Sequence, residues 1–137
     1  MSMFKIFDTA ATGMSAQSLR LNLVASNLAN VDNVSSSIDE TYKARQAVFG
    51  AILNQVNPDD PATGVQVKGV VESDAPLNME FAPNHPMANE EGYIFRPNVN
   101  VAEEMANMIS ASRSYQSNVE VVTTAKKLMS ATLRLGE

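Results

Sequence analysis

The sequence predicts a mainly α protein with a small β-rich insert: long N- and C-terminal helices that form a coiled-coil-like bundle in an assembly, with a short β module between them. Three observations predict this. All six prolines fall between Pro58 and Pro97. Proline removes a backbone donor and clashes with the preceding turn, so the flanking stretches are free to be helical. Both flanks repeat apolar residues every seven positions, whereas the middle shows short alternating runs bounded by turn residues. The chain divides accordingly into an N-terminal helix (1–33), a loop and β-rich module (34–98) and a C-terminal helix (99–137).

The first helix is predicted over about Ser2 to Val31. Phe7, Met14, Leu21 and Leu28 form one line at sevenfold spacing, and Ala10, Gln17, Val24 and Val31 form the second. Together they occupy the a and d positions of a heptad and share one helix face. Gly13 weakens this helix by about 1 kcal/mol relative to Ala.

The middle segment begins with a polar loop, 31–40, containing Ser35-Ser36-Ser37. Residues 41–53 carry apolar side chains at Ala44, Ala47, Val48, Ile52 and Leu53, a pattern open to either a strand or a short helix. Asn57–Pro61 and Thr63-Gly64 read as a turn. Val65–Glu72 alternates well enough for a strand, Leu77–Phe81 for a second and Tyr93–Phe95 for a third. Pro83–Gly92 is a turn-rich loop.

The last helix is the most strongly patterned. Val101, Met108, Tyr115, Val122 and Met129 stand at sevenfold spacing, with Met105, Val119 and Leu133 on one flank and Ala111 and Ala125 on the other. Asn100 and Glu103 read as a capping box. Glu103 and Glu104 in the first turn, and Lys126, Lys127 and Arg134 near the end, complement the helix dipole. Gly136 is a plausible terminator. Helices of 30 residues or more exceed the usual globular length of about 11–12, which points to an assembly element. The seam positions Ala10, Gln17, Ala111, Asn118, Ala125 and Thr132 are small or polar. At about 25 cal/mol per Å² of buried apolar surface, such a seam leaves an isolated helical hairpin marginal and favours packing between molecules.

Composition excludes several kinds of chemistry. The chain has no cysteine, so disulfides, thiol catalysis and cysteine-ligated zinc are ruled out together. Its only histidine, His85, lies in the turn Pro83-Asn84-His85-Pro86 and reads as a turn residue. No glycine-rich phosphate loop or nucleophile elbow is present. The paired acids Asp39-Glu40, Asp59-Asp60, Glu90-Glu91 and Glu103-Glu104 read as ordinary solvated carboxylates. The expectation is a non-enzyme without catalytic residues, cofactor or metal. Net charge is −5, and it sits unevenly: 1–31 carries +1, 99–137 carries 0 and the middle carries −6. An acidic middle argues against a nucleic-acid partner, and no stretch is apolar enough for membrane insertion. The N-terminal residues do not read as a secretory signal, because Asp8, Thr9, Thr12, Ser15, Gln17 and Ser18 interrupt the apolar run.

Leu21-Asn22-Leu23-Val24-Ala25-Ser26-Asn27-Leu28-Ala29-Asn30-Val31 resembles the N-terminal signature of the flagellar rod, hook and hook-associated proteins. Asn98-Val99-Asn100-Val101, Glu103-Glu104-Met105, Asn107-Met108-Ile109 and Arg113-Ser114-Tyr115-Gln116-Ser117-Asn118 resemble the partner C-terminal signature. His85-Pro86, Ala88-Asn89-Glu90, Gly92-Tyr93 and Pro97–Asn100 are similar to the proximal-rod members of the flagellar basal-body rod protein family, and the resemblance covers essentially the whole chain. One stretch departs: many relatives carry Thr-Pro-Gly-Tyr where this chain has 32–37, with Tyr42 further on. The middle segment, of about 65 residues, is also shorter than the inserted domains of hook and distal-rod proteins.

The resemblance implies a structural subunit of the flagellar rod, partnered by other copies of itself and by sister rod proteins. It implies export without a cleaved signal peptide through the flagellar type III apparatus, and assembly in the periplasm into the shaft that carries torque from motor to hook. It also implies terminal helices that are unstructured before assembly. The expected subunit interface is Phe7, Met14, Leu21, Val24, Asn27, Leu28, Asn30 and Val31 on the first helix. On the second it is Val101, Met105, Met108, Tyr115, Asn118, Val119, Val122 and Met129. Asn27, Asn30 and Asn118 are expected to fix register, since a buried amide penalises wrong pairings. The competing reading is a helical adaptor or secreted interaction protein of finite oligomeric state. A hydrolase built on His85 is the remote third.

Overall fold

A computed structural model describes residues 3–52 and 64–136. Two helices, α1 (Met3–Ala29) and α2 (Val101–Leu135), carry two small antiparallel ribbons between them. The first ribbon pairs β1 (Arg45–Ala51) with β2 (Val65–Glu72), and the second pairs β3 (Asn78–Phe81) with β4 (Tyr93–Arg96). The predicted order of elements is therefore the observed one. Residues 41–53, which the pattern left open, hold a strand, and the expected turn at Asn57–Thr63 lies outside the described residues.

The helices pair antiparallel within the chain. Asn27 bonds Glu104, Arg20 bonds Asn107 and Gly13 faces Asn118. As one number falls the other rises. The seam is lined by Ala10 and Val24 from α1 and by Ala111 and Ala125 from α2, all buried. Small side chains let the backbones approach closely but bury little apolar surface each. Extending these pairings sets Met3 level with Leu128, so residues 129–135 of α2 run past the described start of α1.

Local chemistry sets the helix ends. At the end of α1 the Asn30 side chain and backbone both donate to the Ser26 carbonyl, which the helix itself leaves unsatisfied. At the start of α2 the Asn100 side chain accepts from the amides of Ala102 and Glu103. The predicted box is one-sided, because no bond returns from the Glu103 side chain. Gly136 does stand at the C-cap, with its N–H on the Leu133 carbonyl.

The β1–β2 ribbon lies along α1. Its base is tied to Asn27 through Arg45, and its far end to Thr12, whose hydroxyl accepts from the Val65 amide. Seven strand residues and fifteen helical residues each span about 23 Å, so ribbon and helix match in length. A bulge at Val48/Phe49 leaves Lys68 without an opposite number and bends the ribbon. Every residue of β2 is exposed.

The second ribbon anchors the core proper. Ile94, Phe95, Pro97 and Val99 are buried beside Ala44, and Phe95 exchanges two backbone bonds with Ser35 in the loop after α1. Gly92 enters β4 with φ +82°, a backbone region that favours glycine. A Cβ there would also press on the Phe81 ring and Pro83. His85 sits in the preceding turn, exposed, where its Nδ1 accepts from the Met87 amide. That is the turn role its sequence context predicts.

Candidate assembly interface

The two helices position two kinds of surface: a polar knot that ties α1, α2 and the first ribbon together, and an apolar face that the fold leaves uncovered.

Asn27 is the centre of the knot. Its side chain is 1% exposed and makes four hydrogen bonds. Nδ2 donates to the Arg45 carbonyl at 2.9 Å and to Glu104 Oε2 at 3.1 Å. Oδ1 accepts from the Tyr42 hydroxyl at 2.8 Å and the Arg45 amide at 2.9 Å. Both N–H groups and both lone pairs are thus satisfied, as a buried amide requires. Asn98 does similar work at the base of the ribbons, accepting from the Ala44 amide and donating to the carbonyls of Ser73 and Ala75.

The residues expected at the subunit interface therefore separate. Val24 and Asn27 are buried within the chain. Asn30 caps its own helix and Asn118 stands against Gly13, so each of the three expected register asparagines has its neighbour inside the molecule. Phe7, Met14, Leu21, Leu28, Val31, Met108, Val122 and Met129 are half-buried. Val101, Met105, Tyr115 and Val119 are exposed. The last four lie on a line that runs roughly a quarter-turn round α2 from the buried Ala111–Ala125 seam, by the 100° advance per residue. α2 is apolar over a wider arc than α1 covers.

Sequence reasoning missed several residues. Ile109 belongs to the exposed line, four positions after Met105, and its spacing was available to be read. Val121, Leu128 and Leu135 form a second sevenfold line, also exposed. The sequence reads Glu104 as an ordinary solvated carboxylate, and the structure corrects this: it is 5% exposed, held between the helices by Asn27. No local pattern marks it, because its burial depends on α1 and β1 arriving beside it. Glu103, its neighbour, is exposed as expected.

Comparison with known proteins agrees with this architecture at both ends and along the whole length. The family described as "Flagella basal body rod protein" matches residues 7–35, and "Flagellar basal body rod FlgEFG protein C-terminal" matches residues 90–135. These spans cover all but the first turn of α1 with the start of its following loop, and β4 with the whole of α2. The flagellar basal-body rod protein FlgC of Escherichia coli is 48% identical with both chains fully covered, and that of Salmonella typhimurium is 45% identical, again over the whole of both. FlgC of Borreliella burgdorferi is 30% identical over 98% of each chain. The chain belongs to the flagellar basal-body rod protein family, as a FlgC-like structural subunit and not an enzyme.

Proposed function

We propose that this subunit builds the proximal segment of the rod by laying the uncovered face of α2 against neighbouring rod subunits. The observation that carries the reading is the exposed line Val101, Met105, Ile109, Tyr115 and Val119 on a helix whose adjacent face is already packed. Isolated apolar residues at a surface are ordinary, but exposed apolar residues recurring on one side of a helix over five turns mark an interaction surface. The half-buried Phe7, Met14, Leu21, Leu28, Val31, Met108, Val122 and Met129 border the seam and extend the contact where helices of several subunits meet. A heterologous contact whose rotation does not close propagates into a helical shaft instead of a ring, as torque transmission from motor to hook requires.

In this reading the subunit is exported unprocessed through the flagellar type III apparatus, assembles in the periplasm, and meets both its own copies and sister rod proteins. The small-residue seam supports a helix pair that opens easily before assembly.

A clean in-frame deletion in the source bacterium, followed by electron microscopy of purified basal bodies, tests the reading. The expected result is rings without a completed rod, no external filament, and rescue by the intact gene. Intact flagella in the deletion strain would overturn it. Leu28→Asp and Val122→Asp should each abolish rod assembly while the protein is still made.

A further inference from the structure

Between α1, α2 and β1 lies an open cleft of about 380 Å³. Its walls include the apolar Leu23, Val24, Ala47 and Phe49, and its floor carries Glu103 and Glu104. Glu103 is exposed; Glu104 is 5% exposed and, among the described residues, its side chain accepts from the Asn27 amide alone. An ionised carboxylate offers about four acceptor positions, which leaves it capacity for a further donor. The two arginines at the rim do not serve it. Arg20 donates to Asn107, while Arg45 lies 3.6 Å from Glu72 and stacks on Tyr42 at 5.5 Å. Arg45 is thus engaged by Glu72, which lies outside the cleft lining, and leaves Glu103 and Glu104 facing Arg20 alone among the cleft's cations.

The complement to this cleft lies at the other end of the same molecule. The last third of α2 carries Lys126, Lys127 and Arg134 with no acidic residue between Val121 and Gly136. Among the described residues none of these three cations makes an ion pair. The same end exposes Phe4, Leu128, Leu133 and Leu135, the last at 89%, where α2 runs past α1. Cleft and tip are separated by about 23 residues of one straight helix, roughly 35 Å. They cannot meet within one chain.

Resting on the rod reading, we infer that the α2 tip of one copy docks in the Glu103–Glu104 cleft of a second copy, bases on the carboxylates and leucines on the apolar walls. The two halves of the contact are different surfaces at opposite ends of the subunit, so the contact is head-to-tail and repeats along an axis. Opposite charge at its centre sets direction and register, since the reverse stacking would face acids with acids.

The chain's lack of cysteine makes a cross-linking test clean. Two copies, one Glu103→Cys and one Lys127→Cys, are co-expressed in the deletion strain, and purified basal bodies are treated with a short bis-maleimide. A dimer-mass product that needs both variants is expected. Complete rods containing both variants without that product would overturn the inference while leaving the rod reading intact, and a product joining Glu103→Cys to a different protein would overturn the choice of occupant. Should the cysteine variants not assemble, charge exchange decides. Glu103→Lys alone and Lys127→Glu alone should each cut swimming at least tenfold, and the two together in one chain should restore at least half of it. A double variant no better than either single would sink the docking. Complete rods in the parent deletion strain would sink both readings together.

Discussion

Asn27 and Glu104 hold the two helices in register from inside: the amide donates to the carboxylate across the pair at 3.1 Å, and both side chains are buried. The other three bonds of Asn27 reach Tyr42 and the backbone of Arg45. One side chain thus links α1, α2, the loop and the first ribbon.

Replacing Asn27 with Ala should be costly. It strands a buried carboxylate and frees a backbone amide, a carbonyl and a hydroxyl, together worth about 3–5 kcal/mol. At about 3–5 °C per kcal/mol for a chain of this size, the melting temperature of the purified protein should fall by roughly 10 °C or more. Asn27→Asp should be at least as damaging, because it sets a second carboxylate against Glu104. Glu104→Gln keeps an oxygen for Asn27 and should change stability by less than about 1 kcal/mol. Thermal unfolding followed by circular dichroism ranks the three. Equal behaviour of Asn27→Ala and Glu104→Gln would show that the knot does not carry the register.

Asn98 offers a local counterpart. Its three bonds tie the amide of Ala44 and the carbonyls of Ser73 and Ala75 to the start of α2. Asn98→Ala should cost about 2–3 kcal/mol at roughly 1 kcal/mol per bond. The loss should appear first as faster hydrogen exchange in β1 and β2, since a two-stranded ribbon is marginal without support. Protection of the ribbon amides unchanged from wild type would mean that α1 alone holds it in place.

Gly13 separates helix propensity from packing. Alanine there gains about 1 kcal/mol of helix propensity, but its Cβ would lie 2.9 Å from Asn118 Nδ2. That nitrogen is the end of a side chain able to turn away, so Gly13→Ala should be close to neutral. In an Asn118→Ala background the clash is gone, and the same substitution should stabilise by about 0.5–1 kcal/mol. Gly13→Leu overfills the close approach and should destabilise by about 1–3 kcal/mol. Denaturant unfolding of the wild type, the three single variants and the double variant measures the difference.

The sequence carried the architecture further than it carried the interface, for a physical reason. Heptad spacing, proline placement and strand alternation are local signals, and they located α1, α2 and all but one of the strands. The exception, β1, has apolar residues at Ala44, Ala47, Val48 and Ile52, which fit neither period cleanly. It becomes a strand because β2 pairs with it. The roles of Asn27 and Glu104 were illegible for a related reason. Both are polar residues on helices, and only the meeting of α1, α2 and Arg45 turns them into buried partners. The heptad pattern of α2 also merged two surfaces. Ala111 and Ala125 face α1, whereas Val101, Met105, Tyr115 and Val119 face outward, and a single apolar arc does not say where one partner stops and the next begins.

That division gives the sharpest contrast between folding and assembly. Ala111 is 0% exposed, on the face of α2 that packs against α1. Ala111→Leu adds three carbons at a fully buried position, so it should destabilise the isolated subunit by about 1–3 kcal/mol. Met105→Glu and Val119→Glu change only exposed positions, where substitutions usually fall within about 0.5 kcal/mol. Their helix content and melting temperature should match the unaltered protein. In the deletion strain the order should invert: the double variant Met105→Glu, Val119→Glu should be made at normal levels yet leave cells unable to complete a rod, because two carboxylates buried against a neighbour's apolar face find no partner. Normal swimming with the double variant would remove this face of α2 from the interface and turn attention to its opposite line, Val121, Leu128 and Leu135.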